Sequence, residues 1–120
     1  MNKISDSELE VMKILWERGE CTSPEIIDAL SKQINWGKTT IKTLISRLVS
    51  KGAIEQIKRD GELYIYKVAI SEKDYKKSEN ENFVTKLYKG SVNNMLLNFV
   101  EQKQISKQDL EKLLEIINKK

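Results

Sequence analysis

Gly37-Lys38-Thr39-Thr40-Ile41-Lys42-Thr43-Leu44-Ile45-Ser46-Arg47-Leu48-Val49-Ser50-Lys51-Gly52 reads as one helix with two unlike faces. Ile41, Leu44, Ile45, Leu48 and Val49 recur at spacings of three and four and share one side. Lys38, Thr39, Lys42, Thr43, Ser46 and Arg47 fall largely on the other, and Gly52 stands where a glycine C-cap is expected. The polar face has no Asp or Glu. A solvated helix usually mixes both signs, because opposite charges four residues apart support it. A face of Lys, Arg, Thr and Ser alone suits phosphates and base edges. It also suits a surface helix that merely lacks acids, so the flanking segments must separate the two readings.

Upstream, Ser5-Asp6-Ser7-Glu8 forms a capping box. The helix it opens carries Leu9, Met12, Leu15 and Trp16 on one face, with Val11 and Ile14 beside it, and should end near Gly19. Trp16 is most simply a large core anchor. Cys21-Thr22 reads as a short linker, with Cys21 a small semi-buried residue. Ser23-Pro24 starts a second helix, Ser23 as N-cap and Pro24 in the first turn. Ile26, Ile27, Leu30 and Ile34 give its apolar side, and Asn35-Trp36-Gly37 turns the chain into the basic helix. Three close helices with a basic third form a helix-turn-helix layout.

Downstream, Ala53–Arg59 and Glu62–Val68 are β-prone runs joined by Asp60-Gly61, a strong hairpin signal because that turn needs positive φ. Helix-helix-helix-hairpin is the order of a winged helix. Lys58 and Arg59 at the hairpin tip would lie near a phosphate backbone, although two charges there serve equally to keep a turn solvated. The expected boundary is at residues 69–71, giving a winged-helix DNA-binding domain over 1–70 and a helical dimerisation domain over 71–120.

The second part begins at Ser71-Glu72-Lys73-Asp74, another Ser-x-x-acid helix start, and is interrupted at Gly90-Ser91. Tyr75, Phe83, Val84, Leu87 and Tyr88 form one apolar set, and Val92, Met95, Leu96, Phe99 and Val100 a second. Ser106-Lys107-Gln108-Asp109 opens a last helix with Leu110, Leu113, Leu114 and Ile117 at i, i+3, i+4 and i+7. Some 50 residues bury too little surface to stand alone. The stripes call for a partner, most simply the same segment of a second chain.

Composition narrows the chemistry. The net charge of the 120 residues is only +3. Residues 1–35, however, hold four Lys/Arg against seven Asp/Glu, and residues 36–59 hold six against one. A basic segment in an otherwise mixed chain is the footprint of a nucleic-acid reader. Cys21 is the only cysteine and there is no histidine, so the usual zinc sites and a Cys–His nucleophile are out of reach. Neither GxGxxG nor a Walker loop occurs. The chain is expected to be no enzyme and to need no cofactor. No apolar run approaches the roughly 20 residues of a membrane helix and no signal-peptide layout opens the chain, so a cytoplasmic location is expected.

With these pieces in place, the chain resembles the BlaI/MecI/CopY family of penicillinase and methicillin-resistance repressors. The matching blocks are residues 7–16 (SELEVMKILW), 38–48 (KTTIKTLISRL), 83–90 (FVTKLYKG) and 97–101 (LNFVE). The resemblance implies a homodimeric repressor of palindromic operator DNA upstream of resistance genes. In the β-lactam branch it also implies induction by proteolysis in the dimerisation domain, triggered by a membrane sensor-protease. The family's Asn-Phe cleavage point falls on Asn98-Phe99. Copper-responsive members carry a Cys-rich C-terminal motif, absent here. Where members often have Ser-Pro at the start of the recognition helix, this chain has Gly37-Lys38.

The expected DNA contacts are Lys38, Thr39, Thr40, Lys42, Thr43, Ser46, Arg47, Lys58 and Arg59. The expected dimer contacts are Phe83, Leu87, Tyr88, Met95, Leu96, Phe99, Leu110, Leu113, Leu114 and Ile117. The competing functions are a winged-helix protein-interaction module and a repressor of the same family with another regulon or inducer.

Overall fold

The computed structural model describes residues 3–58, 61 and 63–118. Arg59, Asp60 and Glu62, and the side chains of Leu114 and Ile117, lie outside what it describes. The order is α1 (Asp6–Arg18), β1 (Cys21–Thr22), α2 (Ser23–Gln33), α3 (Lys38–Ser50), β2 (Ile54–Lys58), β3 (Tyr64–Val68), α4 (Glu72–Tyr88), α5 (Val92–Glu101) and α6 (Lys107–Asn118). The chain divides into two compact units, Met1–Tyr75 and Lys76–Lys120.

In the first unit, the Ser5–Glu8 capping box forms in full. The Ser5 hydroxyl accepts from the Glu8 N–H at 3.1 Å, and the Glu8 carboxylate accepts from the Ser5 N–H at 2.8 Å. Gly19 ends α1 at φ +81°. The buried stripe of α1 is Glu8, Val11, Met12, Ile14 and Leu15, one position off the stripe read from sequence, and Leu9 and Trp16 are only half-buried. Trp16 still anchors: its indole N–H donates to the Ile70 carbonyl at 3.0 Å, and its ring lies 5.4 Å from that of Tyr75.

Two local expectations are corrected. Cys21-Thr22 is no linker but a strand on the free edge of β3, pairing Cys21 with Tyr66 and Thr22 with Ile65. The sheet therefore has three antiparallel strands in the order β1-β3-β2. Cys21 is fully buried, and burial pushes its thiol pKa up. The cap of α2 is Thr22 and not Ser23. Pairing holds Thr22 extended, which is the N-cap conformation, and its hydroxyl accepts from the Glu25 N–H while Glu25 accepts from the Thr22 N–H at 3.0 Å. Among the described residues the β2–β3 ladder runs to Lys58↔Tyr64, and Gly61 has a positive φ, +87°; the rest of the expected Asp60-Gly61 turn lies outside the described residues.

The core of this unit gathers Val11, Met12, Leu15, Ile26, Leu30, Ile41, Leu44, Ile45, Leu48, Ala53 and Ile54. α3 ends in a Schellman motif. Gly52, at φ +78°, donates to Val49, and Ala53 to Leu48, both at 3.0 Å.

In the second unit, Ser91 caps α5 through the Asn94 N–H and Ser106 caps α6 through the Asp109 N–H, both at 3.1 Å. Among its described residues none is buried. Phe83, Leu87, Val92, Leu97 and Val100 are exposed.

Candidate nucleic-acid interface

α3 is positioned by its apolar side. Ile41 and Leu48 are wholly buried, and Leu44 and Ile45 nearly so. This commitment leaves Lys38, Thr39, Thr40, Lys42, Thr43, Ser46 and Arg47 all exposed on one helix. The N-terminus of α3 is uncapped: Gly37 makes no side-chain hydrogen bond, and no acid occupies the first turn. Free amide N–H groups therefore sit with Lys38 and two threonines at the positive end of the helix dipole, an arrangement that favours an anion. At α2, by contrast, Glu25 already occupies the equivalent place.

The hydroxyl of Thr43 donates to the Thr39 carbonyl at 3.0 Å. Its donor is spent within the helix, and what remains for a partner is its methyl group and an acceptor lone pair. Lys58 is exposed at the end of β2. Arg59 lies outside the described residues.

The tertiary structure adds neighbours that sequence reading missed. Ser50 shares a shallow hollow with Thr43, Ser46 and Arg47. Its position one turn beyond Ser46 and Arg47 was the available signal. Ser23, Ser31 and Asp28 of α2 line a second hollow with Lys38 and Lys42. Asp28 brings an acid beside a helix face that has none of its own, and it pairs with Lys32 at 3.2 Å.

Lys51 borders the hollow of Thr43, Ser46, Arg47 and Ser50, but its ammonium is engaged within the fold. Its ammonium donates to the Glu8 carboxylate and, at 2.8 Å, to the Lys3 carbonyl. Glu8 is 1% exposed. Burial raises its pKa, but the Lys51 hydrogen bond, the Ser5 N–H and hydroxyl and the Lys51 charge outweigh this and leave it below the usual range.

In the second unit, Phe83, Met95 and Phe99 line an apolar groove with Val84, Gly90 and Val92. Leu87 is exposed, and Tyr88, Met95, Leu96, Phe99, Leu110 and Leu113 are half-buried. Leu97, missed in the sequence, is among the most exposed apolar residues, at 59%. It lies off the stripe of Val92, Met95, Leu96, Phe99 and Val100 that the three-and-four spacing of α5 picks out, which is why that spacing passed it over. The Asn98-Phe99 peptide lies inside α5. The Asn98 side-chain amide donates to the Tyr88 hydroxyl at 3.1 Å, and its carbonyl accepts from Gln102 at 3.3 Å. Among the described residues no cluster of His, Cys, Asp or Glu could hold a metal, and no helix is long and apolar enough to cross a membrane.

Comparison with known proteins agrees with this geometry. The penicillinase repressor family matches residues 4–119. The methicillin resistance regulatory protein MecI of Staphylococcus aureus (strain N315) is 40% identical over 118 residues, covering 98% of this chain and 95% of the relative. The penicillinase repressor of Bacillus licheniformis is 38% identical over 115 residues, covering 96% and 89%. A solution structure of monomeric Bacillus licheniformis BlaI in complex with the blaP half-operator superposes with a TM-score of 0.55 at 42% identity, covering 62% of this chain and 89% of that one. With its winged-helix unit, its basic third helix and near-full-length likeness to these repressors, the chain belongs to the penicillinase repressor family.

Proposed function

We propose that this chain is a homodimeric transcriptional repressor of palindromic operator DNA, that it controls β-lactam resistance genes, and that cleavage at Asn98-Phe99 inactivates it. The observation that carries the DNA reading is the outer face of α3, with seven exposed polar or basic residues, no acid and an uncapped N-terminus. Lys42 and Arg47 contact phosphates or guanine edges. Thr39, Thr40 and Ser46 contact phosphates, and the Thr43 methyl meets a thymine methyl. Lys38 and the free amides of the first turn hold a phosphate, and Lys58 and Arg59 add backbone contacts from the wing.

The second unit supports the dimer. Burying a large apolar side chain is worth roughly 1.5–3 kcal/mol, and five such residues are exposed there in the single chain. Two reading heads joined this way gain affinity by effective concentration, at half-sites about one helical turn apart. A membrane sensor-protease is the proposed trigger. The Asn98-Phe99 bond sits in a helix, so the helix must open locally before a protease can take it as an extended strand. Once it is cut, the helix that supplies Met95, Leu96 and Phe99 to the dimer is lost, and paired binding with it.

The test is a gel shift with a palindromic promoter duplex, at physiological salt with nonspecific competitor, comparing the intact chain with one truncated after Asn98. A single retarded species of two chains per duplex, lost on truncation, is the expected result. No retardation of any duplex overturns the DNA reading. Equal dimerisation and binding by the truncated chain overturn the cleavage mechanism.

A further inference from the structure

Residues 69–71 join β3 to α4, and each of the three is held. The Ala69 N–H donates to the carbonyl of Ala53, a core residue, at 2.9 Å. The Ile70 carbonyl accepts from the Trp16 indole N–H at 3.0 Å. The Ser71 hydroxyl caps α4 by accepting from the Asp74 N–H at 3.1 Å. One turn on, the Tyr75 ring lies against that of Trp16, tilted by 41° with centroids 5.4 Å apart. Trp16, Ile70 and Tyr75 all pack on the core of the first unit. Trp16 thus grips both the connection and the first turn of the helix that follows. The division between the two units comes just after Tyr75, inside α4. α4 holds no Gly or Pro, the usual causes of a kink. Tyr75 is also the only hydrophobic residue in 72–82, and the seven residues after it are all polar. No other hydrophobic side chain of that stretch can fasten α4 to the first unit.

We propose that Trp16 and Tyr75 form a clasp that fixes the start of α4 on the reading head and so sets which half-site spacing a dimer accepts. The proposal rests on the paired DNA-binding reading above. Both are positioning residues, acting through α4 and not on the DNA. Two linked heads gain affinity through effective concentration, which is highest when the link matches the span between sites. A head free to pivot about residues 69–75 spreads over many orientations, and few of them meet the second half-site. A held joint concentrates the head on one spacing. Two tilted rings and a hydrogen bond to the connection fix direction as well as distance. An anchor of the fold alone serves one head as much as two, whereas a clasp matters only to the pair.

Two full-length variants are compared with wild type. Trp16→Phe keeps a ring and removes the N–H donor, and Tyr75→Ala removes the facing ring. The duplexes are a palindrome selected from random sequence by the wild-type chain, its isolated half-site, and the palindrome with two base pairs inserted at its centre. Half-site affinity is expected to be unchanged in both variants, and sedimentation to show the same dimer. Affinity for the palindrome is expected to fall about 3- to 10-fold as the joint loosens and effective concentration drops. The penalty for the two inserted base pairs is expected to shrink.

Wild-type affinity for the palindrome in either variant overturns the clasp. Equal losses on half-site and palindrome overturn it too, and assign the two rings to the fold alone. Weaker self-association overturns it in favour of a role in pairing the chains. Failure of the wild-type chain to prefer the palindrome over its half-site is a different result, which defeats the paired reading itself.

Discussion

The ammonium of Lys51, at the end of α3, is joined to the buried carboxylate of Glu8, in the first turn of α1. The same carboxylate closes the capping box with Ser5, and the same ammonium holds the Lys3 carbonyl. The start of α1 and the end of the basic helix are thereby fastened at one point. A residue that looks like part of the DNA-binding charge instead sets where the recognition helix lies.

Removing one partner of such a pair leaves the other charge buried and uncompensated. Lys51→Met is expected to destabilise the first unit by about 2–4 kcal/mol, the lower end applying because Lys51 is partly exposed. Glu8→Gln, which keeps a hydrogen-bonding carbonyl, should cost less. Urea denaturation of both variants and of the double variant measures the coupling. Wild-type stability in Lys51→Met would refute the assignment.

The pH dependence follows from the lowered pKa of Glu8. A carboxyl that is more acidic folded than unfolded adds stability above its unfolded pKa, roughly 4.3. That contribution is lost as pH falls through the folded value. The stability gap between wild type and Glu8→Gln is therefore expected to be full at neutral pH and to close below about pH 4. Thermal melts at a series of pH values check this, and a gap that widens in acid would contradict it.

Arg47 and Lys42 are exposed and on the same helix face. Replacing either with Ala is expected to weaken operator binding and, if the contact is to phosphate, to flatten the log–log salt slope by about 0.9. If it is to a guanine edge, about 1–3 kcal/mol of discrimination is lost at one base pair. Titrations on operator and single-base variants distinguish the two, and an Arg47→Ala chain with unchanged affinity removes Arg47 from the interface.

Gly37 caps α3 with no side chain, at a φ of −74° that any residue adopts and with open space around it. Gly37→Asp supplies the missing cap and an acid at the helix N-terminus, for a gain of up to about 1 kcal/mol. It also puts a negative charge where the proposal puts a phosphate. Melting temperature should rise while operator affinity falls about tenfold, or roughly 1.4 kcal/mol. A rise in both would show that no phosphate lies there.

Lys103 ends α5 in a Schellman motif at φ +58°, a conformation that costs a non-glycine residue roughly 1–2 kcal/mol. Lys103→Gly is expected to stabilise this helix end by about 0.5–1 kcal/mol, after allowing for the freer unfolded chain. Amide hydrogen exchange at Gln104, whose N–H is bound to the Phe99 carbonyl at 2.9 Å, reports it.

Much of this molecule was legible as sequence because the deciding signals are local. Ser5 and Glu8 form a cap within one turn. The three-and-four spacing of Ile41, Leu44, Ile45 and Leu48 buries that side of α3 and leaves Lys42, Thr43 and Arg47 outside, whatever α3 packs against. What remained hidden depended on residues far apart in the chain. Strand β1 exists because β3 has a free edge beside Cys21 and Thr22, some 44 residues earlier in the chain than their partners. That pairing, in turn, moved the cap of α2 to Thr22. Lys51 turned inward because Glu8, 43 residues away, was buried within its reach, and Asp28 came to border the basic face because α2 packs beside α3. Hydrogen-bond periodicity and helix caps act over three or four residues and can be read along the chain. A buried charge or a free sheet edge takes whatever partner the packed chain brings to it, and only the tertiary structure chooses that partner.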